Sequence, residues 1–476
     1  ILPDAVAREK YASNLRIALV NDTTLVRWTH FEGENVFDDV SRHCVIYVIT
    51  NQDPLPDWEV ILESPPSRDF ASRTLNKVPL AEWLVGPTSQ FRPKIGRVET
   101  SNILGLIDNL SVRLGQYCYV MVGATVHSKD GKSFKKADVI SKTPTGNAKR
   151  FFDGKTLQRY EILLDGRFLD YRREEMYGPR VPELFENQKI VVRDVTAKNE
   201  KLVVSYDDTG LYCDHLVTCV TFYKNIEGTG AQTEFEGYPR IENDIPELRY
   251  ILAVVASSLI AWYFREIFAT GTLQGSYSHT YPKQVRDFPI RRISFTTPAE
   301  ERARLGAELQ DLYAQGKHAE ILAAVNGCLP QDEAGNFIAE SERSDVVHDL
   351  LAFLAERMLE MNKEKQQEIR GFLGWLEGYV GAKVEELTPK TRLQSYYEHD
   401  YESLLAVLKK NRKKLAVDPA RREPAEALRA EFEGSMNKLL PLLERIEKTD
   451  RLIDAVVYRL YGLTEEEIGI VEGSNK

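Results

Sequence analysis

The segment RYILAVVASSLIAWYF, residues 249–264, lies in the most apolar part of the chain and decides how the middle of the molecule folds. Arg265 and Glu266 interrupt the apolar run before it reaches the length of about 20 residues that spans a membrane. Its apolar side chains recur with the spacing of one helix face: Ile251, Val254, Val255, Leu259, Tyr263 and Ile267. We therefore predict one buried helix within residues 241–267 that packs against β-sheets, and no membrane.

Short strand-like runs surround this helix from about residue 98 to residue 295. The runs are rich in β-branched and aromatic residues, are separated by Gly and Asp-Gly turns, and lie at 117–122, 190–192, 201–206 and 216–222. Many strands with few helices set among them are typical of a mixed domain. The middle of the chain is therefore predicted to be an α+β domain.

After Pro298 the pattern becomes helical to the end of the chain. Apolar stripes at intervals of three and four residues predict long helices with one buried face. The stripes are Val347, Leu350, Leu351, Leu354, Met358 and Met361; Ile369, Phe372, Leu373, Leu376 and Val380; and Leu439, Leu443, Ile446, Ile453, Val457 and Leu460. Gly462 can end the last of these helices, and Thr464 with Glu467 forms a capping box for the next.

The beginning of the chain has the pattern of an α/β sheet. Its strand-like runs are 17–20, 25–28 and 44–50. The last of these runs is nearly all β-branched or aromatic, as is typical of a strand buried on both faces. We predict the closing edge of a sheet, then a boundary among turn residues between 65 and 85. The predicted units are residues 1–65, 85–297 and 298–476.

Composition and charge restrict the class of protein. The net charge of −10 comes mostly from residues 301–476, so the first 300 residues are nearly balanced. The first residues lack a basic stretch followed by a short apolar run, and Ile1 resembles the interior of a longer chain. We therefore expect a fragment without a secretory signal. Five cysteines without a CxxC pair favour reduced thiols, packed as small hydrophobes, in a cytoplasmic protein.

A basic patch lies between residues 129 and 159. Its cations are Lys129, Lys132, Lys135, Lys136, Lys142, Lys149, Arg150, Lys155 and Arg159, and its anions are Asp130, Asp138 and Asp153. Phosphate binding depends on local potential more than on net charge, because each neutralised phosphate releases counterions. The patch favours a polyanionic partner, and a solvated lysine-rich loop is the alternative.

Two other chemistries have weaker support. Cys213, His215 and Cys219 lack a fourth zinc ligand at a usual spacing, so we predict no metal site. Asp57 and the triplet Asp130-Gly131-Lys132 loosely match the carboxylates and lysine of Mg²⁺-dependent nucleases. Strings this short arise often by chance, so we predict no catalytic residue in this chain.

Three groups of motifs, in this order, resemble the γ-class adenine-specific DNA methyltransferases and the type IIG restriction-modification enzymes built on them. ILPD (1–4), YASNLR (11–16) and NVF (35–37) look like the end of the methyltransferase domain. LGQ (114–116), FDGKTLQRY (152–160), QKIVVR (188–193) and SYSHTY (276–281) are similar to a TaqI-like target-recognition domain. TDRLID (449–454) and VYRLYGLT (457–464) resemble the C-terminal signature of these enzymes.

This resemblance implies an edge remnant of a Rossmann-like α/β methyltransferase sheet, a target-recognition domain and a C-terminal helical region. It also implies a parent enzyme that methylates adenine in DNA with S-adenosylmethionine, in a restriction-modification or phage-defence system. Mg²⁺ is implied only where a nuclease is fused upstream. The sequence lacks the Gly-rich turn that holds the cofactor and the Asn-Pro-Pro-aromatic loop that holds a flipped adenine. This chain alone is predicted to be inactive.

In that family the two domains face each other across a cleft for double-stranded DNA. The predicted phosphate contacts are Lys149, Arg150, Lys155 and Arg159. Tyr160 and Arg193 are expected beside them, and a buried ion pair is the alternative for Arg193. A second segment mixes aromatic rings, donors and a cation, as nucleic-acid contact loops often do, and it contributes Tyr277, His279 and Lys283. A structural turn is the alternative for that segment.

Other interpretations remain open at this point. A second basic run, residues 409–414, is more typical of a solvated helix face than of a phosphate contact. The chain could also be a stand-alone DNA-specificity subunit, or a protein-interaction scaffold whose C-terminal helices recruit separate catalytic subunits. The strands of residues 1–50 favour a methyltransferase fragment, because a self-standing module has no use for part of a sheet.

Overall fold

The structure, a computed structural model, describes residues 2–3, 6, 12–31, 44–55, 57–64, 74–79, 84–85, 90–91, 98–144, 146–197, 201–235, 237–268 and 277–473. Within these ranges no single helix is long and apolar enough to cross a membrane, and one pair of helices bent by 64° passes that test together. The helices and strands follow in chain order.

The first unit is built around one sheet. Its elements are β1 (Leu2–Pro3), α1 (Ser13–Asn21), β2 (Thr24–His30), β3 (Cys44–Thr50), β4 (Glu59–Ser64), β5 (Thr74–Pro79), β6 (Leu84–Val85) and β7 (Gln90–Phe91). Five strands have the order β1-β3-β2-β4-β5, with β2 and β4 parallel and the other neighbours antiparallel. Leu19 and Val20 of α1 share a core with Leu25, Trp28 and Val45 of the sheet.

Two predictions for this unit were wrong. Residues 17–20 belong to helix α1, because a short apolar run has no period that separates strand from helix. β3 is not buried along its length: Cys44 and Val45 are buried, but Val48 and Ile49 are 48% and 40% exposed. Adjacent side chains of a strand point to opposite faces, so within the described residues this half of β3 is exposed on both faces.

The middle unit contains many short strands, as predicted. Its elements are α2 (Val98–Leu110), β8 (Ser111–Arg113), α3 (Leu114–Tyr117), β9 (Cys118–Val122), β10 (Thr125–Ser128), α4 (Lys136–Val139), β11 (Ile140–Ser141), β12 (Ala148–Phe152), β13 (Leu157–Gln158), β14 (Glu161–Ile162), β15 (Phe168–Asp170), β16 (Met176–Gly178), α5 (Glu183–Glu186), β17 (Lys189–Arg193), β18 (Val195–Ala197), β19 (Val204–Asp207), β20 (Tyr212–Cys213), β21 (Val217–Phe222), α6 (Leu248–Ala256), α7 (Ser258–Ile267), β22 (Tyr277–His279), α8 (Pro282–Arg286) and β23 (Pro289–Arg291). The α+β prediction is confirmed.

Two four-stranded sheets organise this unit. The first, β19-β17-β21-β9, is antiparallel, and the second has the order β11-β15-β12-β20. Side chains alternate across a strand, so Ile190 and Val192 of β17 enter one core while Val191 enters another. The core of Ile190 also contains α6 and α7, and that of Val191 lies between the two sheets.

The predicted helix within 241–267 is buried but broken. Ser257 has an extended backbone, with ψ 159°, and separates α6 from α7. Its hydroxyl accepts a hydrogen bond from the backbone N–H of Ile260 and caps the second helix. An apolar period continues through such a break, because the side chains on both sides are buried whether or not the helix is continuous.

The last unit is helical, as predicted. Its helices are α9 (Ala299–Ala314), α10 (His318–Cys328), α11 (Ser344–Val380), α12 (Lys390–Gln394), α13 (Tyr401–Lys410), α14 (Arg422–Leu460) and α15 (Glu465–Val471). The first half of α11 and the last turns of α14 pack with α6 and α7 in one core. The second half of α11, α13 and the first half of α14 form a separate core. The two long helices therefore join both cores, and the division into three domains stays a prediction.

Candidate nucleic-acid interface

Lys149 and Arg150 lie on β12, in the sheet β11-β15-β12-β20. The Lys149 ammonium forms a 2.9 Å ion pair with Glu186 and lies 5.4 Å from the centre of the Tyr212 ring. The exposed Arg150 guanidinium donates a 2.5 Å hydrogen bond to the carbonyl oxygen of Thr209. Both cations are at the surface, and a phosphate that binds either one must compete with these partners.

Lys155 is an exposed cation in the turn that follows β12. No carboxylate of the described residues lies within 4.0 Å of its ammonium. Asp153, the nearest carboxylate in sequence, pairs instead with Arg167 at 2.7 Å and with Lys136 at 3.8 Å. Of the predicted phosphate contacts, Lys155 therefore has the least competition from within the chain.

Arg159 and Tyr160 do not belong to an exposed face, which corrects their prediction as DNA contacts. The Arg159 guanidinium donates to both carboxylate oxygens of Asp450, at 2.8 and 3.1 Å, and to the carbonyl of Ala256 at 3.0 Å. Tyr160 is 2% exposed, and burial raises the pKa of its phenol. The two residues form the loop between β13 and β14, where Tyr160 adopts φ 58° and contributes its ring to a hydrophobic core.

Arg193 lies at the end of β17 and is half-buried. Its Nε donates a 2.8 Å hydrogen bond to the carbonyl of Val195, and its Nη1 donates at 3.5 Å to that of Leu157. These contacts connect β17 to the β13–β14 hairpin. The structure gives this guanidinium two backbone acceptors, and its role as a phosphate contact stays a prediction.

The predicted segment between α7 and α8 is described from Tyr277 onward, and the backbone of Tyr277 pairs with β18. Nδ1 of the exposed His279 lies 3.3 Å from both carboxylate oxygens of Asp194, and its ring stacks on Tyr281 with centroids 5.5 Å apart. Lys283 follows on α8 and is partly exposed. The exposed ring pair is compatible with nucleic-acid contact, which stays a prediction for this segment.

A further exposed ring pair lies beside the basic patch. The rings of His127 on β10 and Tyr177 on β16 stack with centroids 5.0 Å apart, and Tyr177 is 64% exposed. After β10 the chain enters a turn that exposes Lys129, Lys132 and Lys135, none of which has an ion pair within the described residues. We call these five side chains the aromatic–basic surface. The lysines were visible in the sequence, but the ring pair forms only through the pairing of β10 with β16.

Asp130 orders the turn of the aromatic–basic surface. Its carboxylate accepts hydrogen bonds from the Ser128 hydroxyl at 2.6 Å, from the backbone N–H groups of Lys132 and Ser133 at 2.9 Å each, and from the Ser133 hydroxyl. Gly131 adopts φ 67° at the tip. These hydrogen bonds, the largest effect being from Ser128, hold the pKa of Asp130 well below its usual range. The Asp-Gly-Lys triplet is therefore a turn motif, with its carboxylate already occupied by internal donors.

The C-terminal signature docks α14 against the middle unit. Asp450 binds Arg159 and also Lys201, at 2.8 Å. Asp454 binds Lys201 at 2.6 Å, and accepts hydrogen bonds from the N–H and hydroxyl of Ser258 at 2.8 and 2.9 Å, which caps the beginning of α7. Burial opposes ionisation of Asp450, but the hydrogen bond and charge of Arg159, with Lys201, outweigh it and lower the pKa.

All five cysteines are buried, which confirms the prediction that they pack as small hydrophobes. Cys213 and Cys219 lie in one core with their Sγ atoms 3.5 Å apart, and burial raises the pKa of the Cys213 thiol. His215 is exposed and is not grouped with them. Among the residues that the structure describes, no three His, Cys, Asp or Glu side chains are arranged to hold a metal ion.

Two segments of the chain match the models of known families. Residues 149–290 match the family model of the TaqI-like C-terminal specificity domain, which confirms the resemblance seen in the sequence. Residues 344–457, from α11 into α14, match a domain of unknown function (DUF8810). A search of curated proteins found no match.

Two solved restriction-modification enzymes are similar in structure. The type IIL enzyme MmeI, solved in complex with DNA, is 10% identical with a TM-score of 0.35, and the match covers 74% of this chain and 45% of MmeI. The type IIG endonuclease BpuSI is 11% identical with a TM-score of 0.29, covering 75% and 46%. The chain thus spans less than half the length of either enzyme, and at these TM-scores the likeness is not evidence for a shared activity.

Proposed function

We propose that this chain recognises a sequence in double-stranded DNA and positions it for an adenine-specific methyltransferase that uses S-adenosylmethionine. The parent system would be restriction-modification or phage defence, in the cytoplasm. The observation that carries the proposal is the specificity-domain match at residues 149–290. The exposed cations around this domain support it, because they supply the positive potential that DNA binding requires.

The aromatic–basic surface offers two kinds of contact with DNA. Its lysine ammoniums can bind phosphates, which set the register of a protein on a duplex. The exposed face of Tyr177 can stack on a sugar or on an unstacked base. Lys149 and Arg150 on the neighbouring sheet, with Lys155 in the turn after β12, supply further phosphate contacts. Sequence choice then depends on side chains that reach base edges in the major groove.

Methyl transfer itself is assigned to the parent protein. The sequence of this chain has no Gly-rich cofactor turn and no Asn-Pro-Pro-aromatic loop, so S-adenosylmethionine and the flipped adenine would be held elsewhere. We propose that the chain alone has no methyltransferase activity. A requirement for Mg²⁺ would arise only from a nuclease fused upstream.

A salt-dependent titration tests the proposal. Binding of the whole chain to a fluorescent duplex is measured by anisotropy over a range of salt concentrations, for wild type and for Lys129→Ala/Lys132→Ala/Lys135→Ala. Each lost phosphate contact should reduce the slope of log affinity against log salt by about 0.9, so the triple variant should lose roughly 2 to 3. A second variant, Lys149→Ala/Arg150→Ala/Lys155→Ala, measures the contribution of the neighbouring sheet.

The control removes the same charge from lysines that already have partners. Lys383→Ala/Lys390→Ala/Lys438→Ala breaks ion pairs with Glu377, Glu385 and Glu368 and should leave the slope unchanged. If wild type binds no duplex even at low salt, the proposed function is rejected. Equal slopes for wild type and both test variants would remove the assignment of the phosphate contacts to these surfaces.

A further inference from the structure

A dense cluster of cations lies in the C-terminal helical unit, far along the chain from the specificity domain. We call it the α13 cluster; it consists of Lys409, Lys410, Arg412, Lys413 and Lys414. In the sequence this run had the pattern of a solvated helix face. In the structure α13 ends at Lys410, and the last three cations lie on a separate 3-10 turn at residues 412–414. All five are exposed, and they are not the polar face of one helix.

The turn that carries the α13 cluster is fixed on both sides. Asn411 is 6% exposed; its amide donates to the carbonyls of Thr388 and Val407 at 2.8 Å each, and its oxygen accepts from the N–H of Thr388 at 3.1 Å. Beyond the turn, the N–H of Ala416 donates to the carbonyl of Val380 at 2.8 Å. Two anchors therefore fix the backbone that carries the cations, so less backbone entropy is lost when they bind a partner.

The α13 cluster brings together five cations that lack carboxylate partners. Four other exposed lysines of the same unit form ion pairs of 2.6 to 3.0 Å: Lys383–Glu377, Lys390–Glu385, Lys438–Glu368 and Lys448–Glu444. The isolated, exposed Lys317 and Lys363 form none within the described residues. None of the five clustered cations has a carboxylate within 4.0 Å among the residues that the structure describes. Lys414 donates to the carbonyl of Glu386 at 2.6 Å. The negative end of α13 favours Lys409 and Lys410, but it does not account for Arg412 and Lys413.

Five neighbouring like charges repel one another, so an unpaired cluster on a fixed turn has an electrostatic cost that a polyanion would remove. A nucleic-acid backbone supplies closely spaced charges, one per about 1.7 Å of duplex. Two ion pairs connect the helical unit that carries the cluster to the specificity domain: Lys365 of α11 pairs with Glu161 at 3.2 Å, and Asp450 of α14 pairs with Arg159.

We propose that the α13 cluster binds the phosphate backbone of DNA outside the recognised sequence, which makes the C-terminal helical unit a second DNA-contacting part of the molecule. This inference rests on the proposed function, since the specificity domain must first bind the duplex. It assigns a role to the unit that matches a domain of unknown function. It also predicts that affinity depends on the length of DNA beside the recognised sequence.

The test compares duplexes of about 12 and about 40 base pairs that share one central sequence, with binding measured by anisotropy over a range of salt. Wild type should bind the longer duplex more tightly and with a steeper salt slope. In the variant Lys409→Ala/Lys410→Ala/Arg412→Ala/Lys413→Ala, the slope of log affinity against log salt should be smaller by roughly 2 to 4 in magnitude. The variant should also bind both lengths about equally. Lys383→Ala/Lys390→Ala/Lys438→Ala/Lys448→Ala removes the same charge from paired lysines and should behave as wild type.

The outcomes separate this inference from the proposed function. If the cluster variant retains the wild-type slope and length dependence, the inference is overturned and the proposed function stands. If wild type binds neither duplex, both are overturned. Loss of poly-glutamate binding in the variant, with DNA binding unchanged, would overturn the inference in favour of an acidic protein partner. Equal thermal midpoints of wild type and both variants establish that every comparison is between folded proteins.

Discussion

Asp450 connects two parts of the chain that lie 291 positions apart, because Arg159 reaches it from the β13–β14 hairpin. The carboxylate is 20% exposed and the guanidinium 26%, so solvent screens the pair incompletely. Lys201 shares the same carboxylate. Loss of this single charge would leave two cations at a partly buried boundary between the middle unit and α14.

Replacing Asp450 by Asn tests that boundary. Leaving partly buried cations without their carboxylate should cost about 2–3 kcal/mol, which lies between the values for exposed and for buried pairs because solvent reaches the site. We expect Asp450→Asn to lower the thermal midpoint by roughly 5 °C or more, measured by scanning fluorimetry. Glu447→Gln is the control, since that side chain is 62% exposed on the same helix and pairs with Arg451. An equal drop in both variants would contradict the assigned role.

The same carboxylate should produce a pH dependence of defined sign. The pKa of Asp450 is lowered in the folded protein, so the unfolded chain binds its proton more tightly. Its contribution to stability is therefore complete above the ordinary Asp value of 3.8 and is lost as the pH falls through the lower folded value. The difference in midpoint between wild type and Asp450→Asn should be constant near neutral pH and shrink below about pH 4. A difference that grows on acidification would disprove this account.

At the scale of elements, the turn of the aromatic–basic surface depends on Asp130. Asp130→Ala removes a negative charge from a basic surface, and simple electrostatics would then predict tighter DNA binding. We expect the opposite, a loss of about 1 kcal/mol or several-fold in affinity, because the turn that positions three lysines loses its central acceptor. Anisotropy titration measures the effect. Glu174→Ala removes an exposed carboxylate from the neighbouring loop and should tighten binding slightly; the two variants should therefore change affinity in opposite directions.

Gly381 ends helix α11 and allows a sharper stability test. It adopts φ 69°, and a Cβ placed there would lie 2.6 Å from the Cβ of Ala416. Gly381→Ala should destabilise the second helical core by about 1–3 kcal/mol through left-handed strain and that collision. Gly378→Ala, one turn earlier in the same helix with no neighbour within 4 Å, should instead stabilise by up to about 1 kcal/mol. Thermal midpoints that shift in the same direction would contradict the prediction.

Elements were easier to predict from the sequence than the site was. The stripe that includes Leu350 and Met358 identified α11, because the buried face of one continuous helix recurs every three to four residues. The break at Ser257 was not predicted, since burial on both sides of it conceals the interruption. Arg159 and Tyr160 belong to a cationic run, but the sequence does not show that Asp450 and a hydrophobic core receive them. The stack of His127 on Tyr177 likewise depends on a strand pairing that no local pattern encodes.

At the scale of the whole molecule, the segment that matches the specificity domain, residues 149–290, is shorter than the unit that we expect to fold. Val255 and Leu259, inside residues 149–290, share one core with Val347 of α11 and Val457 of α14. We expect a fragment of residues 149–290 to expose this apolar face and to aggregate or remain molten. A fragment of residues 98–473 should melt cooperatively, as followed by circular dichroism. A cooperative transition of the shorter fragment would show that the specificity domain is self-sufficient.

The capping of α7 by Asp454 also has a consequence for exchange of the segment that matches the specificity domain. Ser258 and Asp454 are 196 positions apart, yet the Asp454 carboxylate accepts the hydrogen bond of the backbone N–H with which α7 begins. A recombination event that replaced only residues 149–290 would bring in the beginning of α7 from another protein but keep Asp454 of this chain. Viable chimaeras should therefore inherit the TDRLID segment together with α7, so that the exchangeable unit is discontinuous in the gene although contiguous in space.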